Sequence, residues 1–359
     1  MHIEYFQAQN VRNLTNIELE PGPRLNLFIG PNASGKTALL EAVYILSRGR
    51  SFRTPRMAEV IQHHKNSLVI AANLSQSHAK SVRTGIEKLP GKTVIRFDGE
   101  IIKKTSDQAK NLPIVLIAPD THRLITGEPK LRRHWLDWGM YHVEPDYLNL
   151  WRDYHRSLRQ RNVLLKDKKG DNDLLGGWET AMSDTGARIS RLRQNFIDKI
   201  QEITKDISIN REMDAPEFKY CKGWSEGVEL KDCLKDERYT DSQFGFTRSG
   251  IHRADIEFIV NGHPLSSVFS RGRIKQFVAT LLLAQSAVMQ EMTGRKPIVL
   301  IDDYSAEIDA DTRSRLFSML VERGIQAFLT STDGNSELVD ENEVVLFHVE
   351  HGNLRKVVK

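Results

Sequence analysis

Two short stretches of this chain are apolar at nearly every position, and each ends on residues that carry chemistry. LNLFI (25–29) runs into Gly30, and IVLI (298–301) runs into Asp302 and Asp303. Apolar runs of this length, bounded by turn formers, predict strands buried on both faces of an α/β sheet. Between them the pattern is mostly helical. After Lys36, Leu39, Leu40, Ala42, Val43, Ile45 and Leu46 put apolar residues nearly all round a helix, which predicts a buried central one. A second helix is predicted over Ile274–Met292 and contains the longest apolar stretch, Phe277–Met289.

The interval from Lys130 to Asp206 reads as helices, with LLKDKKGDNDLLGG (164–177) as a polar, glycine-bearing loop between two of them. Shorter alternating segments follow, including APEFKYCKGW (215–224), and the last twenty residues read as two closing strands. The chain shows no internal repeat.

The chain has 359 residues, 40% hydrophobic and 27% charged, enough for a sizeable core and for two domains or one domain with an insertion. Cys221 and Cys233 form neither a CxxC pair nor a disulfide framework, so a reducing cytoplasm is expected. MHIEYFQAQN lacks the charged and apolar regions of a signal peptide, and Phe277–Met289 is too short to span a bilayer, so neither export nor membrane insertion is expected. The net charge of +4 suits a polyanionic partner but demands none.

Gly30, Pro31, Asn32, Ala33, Ser34, Gly35, Lys36 and Thr37 match GxxxxGK[ST], set between a strand and a helix as that phosphate-binding pattern requires. Its glycines let backbone N–H groups wrap phosphates, and the following helix points its positive end at them. Lys36 is expected to reach the β- and γ-phosphates, and Thr37 to give its hydroxyl to Mg²⁺, so ATP with Mg²⁺ is the expected ligand. Asp302 at the second strand's end is placed to hold the Mg²⁺ hydration shell, and Asp303 to orient the attacking water. A paired aspartate can also be an ordinary turn; the phosphate loop is what favours the catalytic reading.

A third element, SVFSRGRIKQF (267–277), opens the Ile274–Met292 helix with Ser270, Arg271, Gly272 and Arg273. By itself it reads more readily as an ordinary Ser-capped helix with a basic first turn. The order of elements, however, is phosphate loop, long insertion, Ser-x-Gly helix start and Asp-Asp strand end, and it resembles the ABC-type ATPases. That resemblance implies that Ser270, Arg271, Gly272 and Arg273 form a signature loop capping the γ-phosphate held by a partner subunit. It also implies that Ser305–Asp309 is a D-loop at the dimer interface, that LTSTD places the γ-phosphate sensor at Thr332 or else Thr330, and that the loop signalling to the insertion lies at Ala118–Asp120.

Within that class the chain resembles the RecF family of bacterial recombination-mediator ATPases over nearly its whole length. The residues that carry this are NVRNLTNIELEPGPRLNLFIGPNASGKTALLEA, GRSFRT (49–54), IAPDTHRLITGEPKLRRHWLDWG (117–139), GIHRADIEFIVNG, FSRGRIKQF and LIDDYSAEID. The interval of about 230 residues from Lys36 to Ser270 carries no sustained heptads, so no long coiled-coil arm is expected. The sequence departs from the usual pattern at Ala33 for glycine, at Arg273 for glutamine, and at Ile251 and Ala254 for proline and aspartate.

The fold expected is α/β: an ABC-type P-loop ATPase head, residues 1–125 and 246–359, with an inserted mainly helical arm over 126–245. The resemblance implies a slow, DNA-stimulated ATPase in the cytoplasm that dimerises on ATP and clamps duplex DNA near single-strand gaps. RecR and RecO, and indirectly RecA, are the implied partners. A transporter nucleotide subunit and an anti-phage ATPase of related fold are the competing expectations. For DNA, SRGRSFRTPRM brings Arg48, Arg50, Arg53 and Arg56 around Phe52, able to meet phosphates and stack on bases; a solvated turn or an interior arginine network is the alternative. A second basic cluster holds Lys130, Arg132, Arg133 and Trp135, with Trp135 and Trp138 expected to face the core.

Overall fold

The structure is a computed structural model that describes residues 1–76, 79–167, 172–207, 215–307, 310–332 and 343–357. It divides into two compact units, Met1–Thr121 with Lys275–Lys359, and His122–Ile274.

The first unit carries two sheets. The antiparallel one runs β2-β1-β4-β5-β6-β7, made of β1 (His2–Val11), β2 (Leu14–Leu19), β4 (Leu68–Gln76), β5 (Ala79–Leu89), β6 (Lys92–Phe97) and β7 (Glu100–Ile102). The other runs β15-β14-β3-β13-β12-β8: β3 (Leu25–Ile29), β8 (Ile114–Ile117), β12 (Ile298–Ile301), β13 (Ala327–Ser331), β14 (Val344–Glu350) and β15 (Asn353–Lys356). Its neighbours are parallel except β15, which closes on β14 as an antiparallel edge. β12 and β13 are buried at every residue, as uninterrupted apolar strands must be when both faces are covered.

Helix α1 (Lys36–Arg48) packs against β1, β4 and β5 of one sheet and β13 of the other. The all-round apolar pattern thus has its physical reason: the helix has no solvent face to keep polar, and its Leu39, Leu40, Val43, Ile45 and Leu46 join the core with Phe28, Ile298, Leu300 and Phe328. Helices α2 (Thr105–Asn111), α11 (Tyr304–Glu307), α12 (Ala310–Glu322) and most of α10 (Arg271–Thr293) complete the unit.

The second unit holds α3 (Arg123–Thr126), α4 (Pro129–Val143), α5 (Tyr147–Lys166), α6 (Asn172–Ile207), α7 (Leu230–Asp236), α8 (Arg238–Phe244) and α9 (Leu265–Val268). It also holds a three-stranded sheet, β11-β10-β9, of β9 (Glu217–Cys221), β10 (Asp255–Val260) and β11 (His263–Pro264). This unit thus adds a small sheet to its helices, and it runs to Ile274, where the mainly helical arm expected from the sequence ended at 245. The ladder explains the shift: β10 pairs with β9 from Asp255 to Ile259, and Arg132 of α4 grips Asp255 with two bonds of 2.7 and 3.0 Å. The expected loop at 164–177 is shorter than predicted, because α5 continues to Lys166 and α6 begins at Asn172. Buried Leu175 and Glu179 hold that first turn in place despite the helix cost of Gly176 and Gly177.

Candidate functional site

The turn from β3 into α1 builds the phosphate loop. Gly35 stands at the helix N-cap with φ 118, a conformation glycine alone adopts freely, and Ala33 adopts φ 64 where the family usually has glycine. Gly30 is required by contact: a Cβ there would fall 2.1 Å from the carbonyl oxygen of Val349 in β14. Gly352, in the turn between β14 and β15, donates its N–H to the Ser34 carbonyl at 2.8 Å. The closing hairpin thus braces the loop from below, a role nothing in the isolated sequence of Gly352 announces.

Lys36 Nζ donates to the carbonyl oxygens of Gly30 (2.6 Å) and Pro31 (2.8 Å). Burial lowers its pKa, while Asp303 and Asp302 act in the opposite sense. Ser34 Oγ is buried with no hydrogen-bond partner among the described residues. An orphan hydroxyl and a desolvated ammonium in a glycine-shaped turn fit a bound polyphosphate, which would supply acceptors to both.

The residues expected at the metal come together from three elements. Thr37 Oγ1 of α1 donates to Asp302 Oδ1 at 2.9 Å, and Thr330 Oγ1 of β13 donates to the same oxygen at 2.8 Å. Asp302 is buried, and its own N–H is fixed on the Ile117 carbonyl at the end of β8, 2.9 Å away. Asp303 follows in the left-handed region, φ 54, and its N–H donates to Thr330 Oγ1 at 2.8 Å. Thr37 and Asp302 offer oxygen donors of the kind a hard cation takes. The described residues contain no cluster of three or more His, Cys, Asp or Glu able to hold a metal, so such an ion would draw its other ligands from nucleotide and water.

Of the two sensor candidates, the structure joins Thr330 to both aspartates, whereas Thr332 lies exposed beyond the end of β13. Ala118 follows β8 in a turn in which its N–H and carbonyl both bond the Thr121 hydroxyl, at 2.7 and 2.6 Å. In the stretch Ser305–Asp309, Ser305 Oγ lies 3.4 Å from Asp303 Oδ1, and Ile308 and Asp309 fall outside the described residues.

Ser270 caps α10: its carbonyl accepts from Ile274 N–H at 2.9 Å, and its Oγ from Arg273 N–H at 3.4 Å. Ser270, Arg271 and Gly272 are exposed, while the Arg273 guanidinium lies over the buried Phe269 ring at 4.5 Å. A Cβ on Gly272 would meet nothing within 4 Å. Among the described residues no packing therefore requires glycine in this first helical turn, where it costs roughly 0.5–1 kcal/mol against alanine.

The arginine-rich loop is partly absorbed by the fold. Glu41 of α1, fully buried, takes Arg12 in two bonds of 2.9 Å each, accepts the Ser51 hydroxyl, and has Arg53 at 3.9 Å. Arg56 pairs with Glu59 at 3.5 Å, Phe52 packs edge-on against Tyr44, and Arg48 is half-buried in the last turn of α1. Arg50, Arg53 and Arg56 keep exposed positions. GRSFRT thus supports an acid in the central helix, which the run of arginines had masked. In the second cluster Arg132 and Arg133 serve the arm, on Asp255 and the Ala254 carbonyl, and Trp135 is buried.

The chain's similarity to known proteins runs over its whole length. The RecF/RecN/SMC N terminal domain family model matches residues 2–354. The DNA replication and repair protein RecF of Nitrosococcus oceani is 35% identical over 365 residues, covering all of both chains. That of Vibrio parahaemolyticus is 35% identical over 353 residues, 96% of this chain and 97% of its own. Among solved structures, the recombination mediator RecF-ATP of the RecFOR pathway superposes with a TM-score of 0.85 at 25% identity, covering 99% and 98% of the two chains. An Smc head bound to the C-winged helix domain of ScpA, 14% identical with a TM-score of 0.57 over 99% of this chain and 97% of that one, shares the fold alone. With its phosphate loop, Asp-Asp strand end and Ser-capped helix on an ABC-type ATPase head, the chain belongs to the RecF family of DNA replication and repair proteins.

Proposed function

We propose that the chain is an ATP-dependent DNA clamp, a homodimer in which each ATP is shared between one copy's phosphate loop and the other copy's Ser270 helix start. The observation that carries this is the Ser270–Gly272 turn: an exposed serine cap beside a glycine whose added Cβ would meet none of the described residues within 4 Å. A second molecule's triphosphate approaching the N-terminus of α10 gives both residues a purpose.

Lys36 would exchange its bonds to the Gly30 and Pro31 carbonyls for phosphate oxygens, and Thr37 and Asp302 would hold Mg²⁺. Mg²⁺, when bound, neutralises charge on the β- and γ-phosphates. Asp303, held by Thr330 through its backbone, would orient the attacking water, with Thr330 tying that residue to Asp302. ATPase activity follows from this donor set and from family membership; a slow, DNA-stimulated rate is part of the proposal.

Shared sites couple nucleotide to assembly. ATP shifts assembly by its differential affinity for the two states: held one hundred times more tightly by a shared site than by the monomer, it favours the dimer by about 2.7 kcal/mol per site, about 5 kcal/mol for two. Two-fold symmetry puts both in one isologous interface. We extend the proposal to duplex DNA at single-strand gaps and to RecR and RecO as partners acting ahead of RecA. The RecFOR setting of the RecF-ATP structure supports that extension. The family's replication and repair membership favours this reading over a transporter subunit or an anti-phage ATPase.

Sedimentation with and without ATP, repeated with duplex and gapped DNA, tests it: ATP should convert monomer to dimer, and DNA should sediment with the dimer. A chain that stays monomeric with saturating ATP and Mg²⁺ refutes it.

A further inference from the structure

The antiparallel sheet of the first unit has two unlike faces. On the inner one, Ile70 and Ala72 of β4, Ile86 of β5 and Ile95 of β6 join the core with α1, and Gln108 of α2 donates to Thr84 Oγ1 at 2.7 Å. The outer face carries the alternate residues. A sheet with one solvated face normally keeps that face polar. Here Val69, Ala71, Gly85 and Val94 instead line a cavity of about 440 Å³.

Cross-strand register fixes what borders this floor. Ala71 stands opposite Gly85, Gly85 opposite Arg96, and Arg96 opposite Ile101, which is 62% exposed. Glu87 stands between Val69 and Val94. Arg83 and Glu87 lie two residues to either side of Gly85, so all three share the outer face. Arg83 and Arg96 are diagonal neighbours across β5 and β6, within reach of one common anion. Among the described residues neither arginine side chain has an ion pair or hydrogen bond, and Glu87 has none either.

We propose that this face docks an amphipathic helix of a partner protein, with an apolar stripe on the floor, a carboxylate at Arg83 and Arg96, and a basic side chain at Glu87. The charges choose the class of partner: the arginines call for an anion, while Glu87 across the floor repels a run of phosphates. None of the lining residues is aromatic, so a base has no ring to stack on. The backbone chooses the mode. β4, β5 and β6 are interior strands, paired on both sides, so a partner cannot add a strand and binds through side chains. Three strands span about 10 Å, the width of a helix with its side chains, ~10–12 Å. Gly85 weakens a strand interior, as glycine does where another chain approaches closely. A Cβ there would lie 3.3 Å from the Ile70 carbonyl oxygen and 3.7 Å from Ala71 Cβ, on the floor itself. The surface needs neither ATP nor a second copy, so it stands or falls apart from the clamp.

The test uses the full chain with ¹³C-labelled valine methyls, without nucleotide. The probes are synthetic helical peptides of about five turns that share a leucine stripe. One carries glutamates along one edge of the stripe and lysines along the other, a second lysines on both, a third glutamates on both. The mixed peptide should shift the Val69 and Val94 methyl resonances and bind more tightly than either uniform one. Arg83→Glu with Arg96→Glu, at exposed positions, should weaken the mixed peptide by at least about tenfold and transfer the preference to the all-lysine peptide. Ala71→Leu fills the floor without changing a charge and should also weaken the mixed peptide; the arginine variant decides the matter if this one fails to fold. Binding indifferent to the arginine reversal, or no shift with any peptide, would overturn the assignment. So would Val69 and Val94 shifts brought on by oligo-dT, by a duplex, or by concentrating the chain alone.

Discussion

Thr37 and Asp302, 265 residues apart in sequence, meet at 2.9 Å, hydroxyl to carboxylate. That bond joins the start of α1 to the end of β12 and brings the two oxygens proposed for Mg²⁺ into one place before any ion arrives. Replacing Asp302 with Asn keeps the shape and removes the charge. The Mg²⁺-dependent part of ATP affinity, measured by calorimetry with and without Mg²⁺, should fall by about tenfold or more, with little change in the metal-free part.

Asp303 sits one residue beyond that carboxylate, in a left-handed conformation stabilised by Thr330. Asp303→Asn should slow turnover by about 10²–10⁴-fold while leaving nucleotide binding intact, because only water activation is lost. The ATP dimer on DNA should then be long-lived; rapid dissociation in a surface-binding experiment would contradict the role given to Asp303. Lys36→Met should abolish ATP-dependent dimerisation altogether.

Ser270 and Gly272 are assigned to the partner's nucleotide, so changing them should spare the monomer. Ser270→Arg should leave equilibrium ATP binding by the monomer unchanged and eliminate the sedimenting dimer. Gly272→Ala should gain roughly 0.5–1 kcal/mol of stability, since its Cβ enters open space, yet weaken the dimer. Loss of monomer binding in Ser270→Arg would mean that the residue belongs elsewhere.

Glu41 is a buried carboxylate supported mainly by Arg12. Removing Arg12 with Ala strands that charge, and urea denaturation should show a loss of about 3–5 kcal/mol. Arg50→Ala, whose position is exposed, should leave stability unchanged and weaken duplex DNA binding, most visibly at low salt.

His252 lies between the Tyr154 hydroxyl, 2.8 Å from Nδ1, and the Thr247 carbonyl, 3.0 Å from Nε2. The neutral ring satisfies both by donating from Nε2 and accepting at Nδ1, and burial lowers its pKa from 6.5 to about 4. Between those values the unfolded chain binds the proton and the folded one does not. Stability from this group is therefore present above pH 6.5, declines as pH falls, and is lost by pH 4, about 3 kcal/mol in all. Denaturation from pH 7.5 to 4 should show that slope flattened in His252→Asn; an unchanged slope would place the titration elsewhere.

Much of the head was readable from patterning because local physics fixes it. An uninterrupted apolar run has no choice but a doubly covered strand, and a helix apolar all round must be sandwiched, as β12 and α1 are. The Ser-x-Gly helix start and the two closing strands were visible for similar reasons. Charges were read less well: Arg53, Arg56, Arg132 and Arg133 look alike in sequence, and only their acceptors, Glu41, Glu59, Asp255 and the Ala254 carbonyl, separate them.

The sequence by itself determined which segments carry the groups proposed for phosphate, metal and water, since glycine spacing, a hydroxyl after lysine and paired carboxylates at a strand end are local facts. The tertiary structure decided what those segments rest on: the Gly352 turn beneath Ser34, Thr330 rather than Thr332 at the aspartates, and β10 paired with β9 in the arm. Each is a contact between residues remote in sequence, set by packing and hydrogen-bond satisfaction over the whole fold, and no single stretch of chain contains both partners.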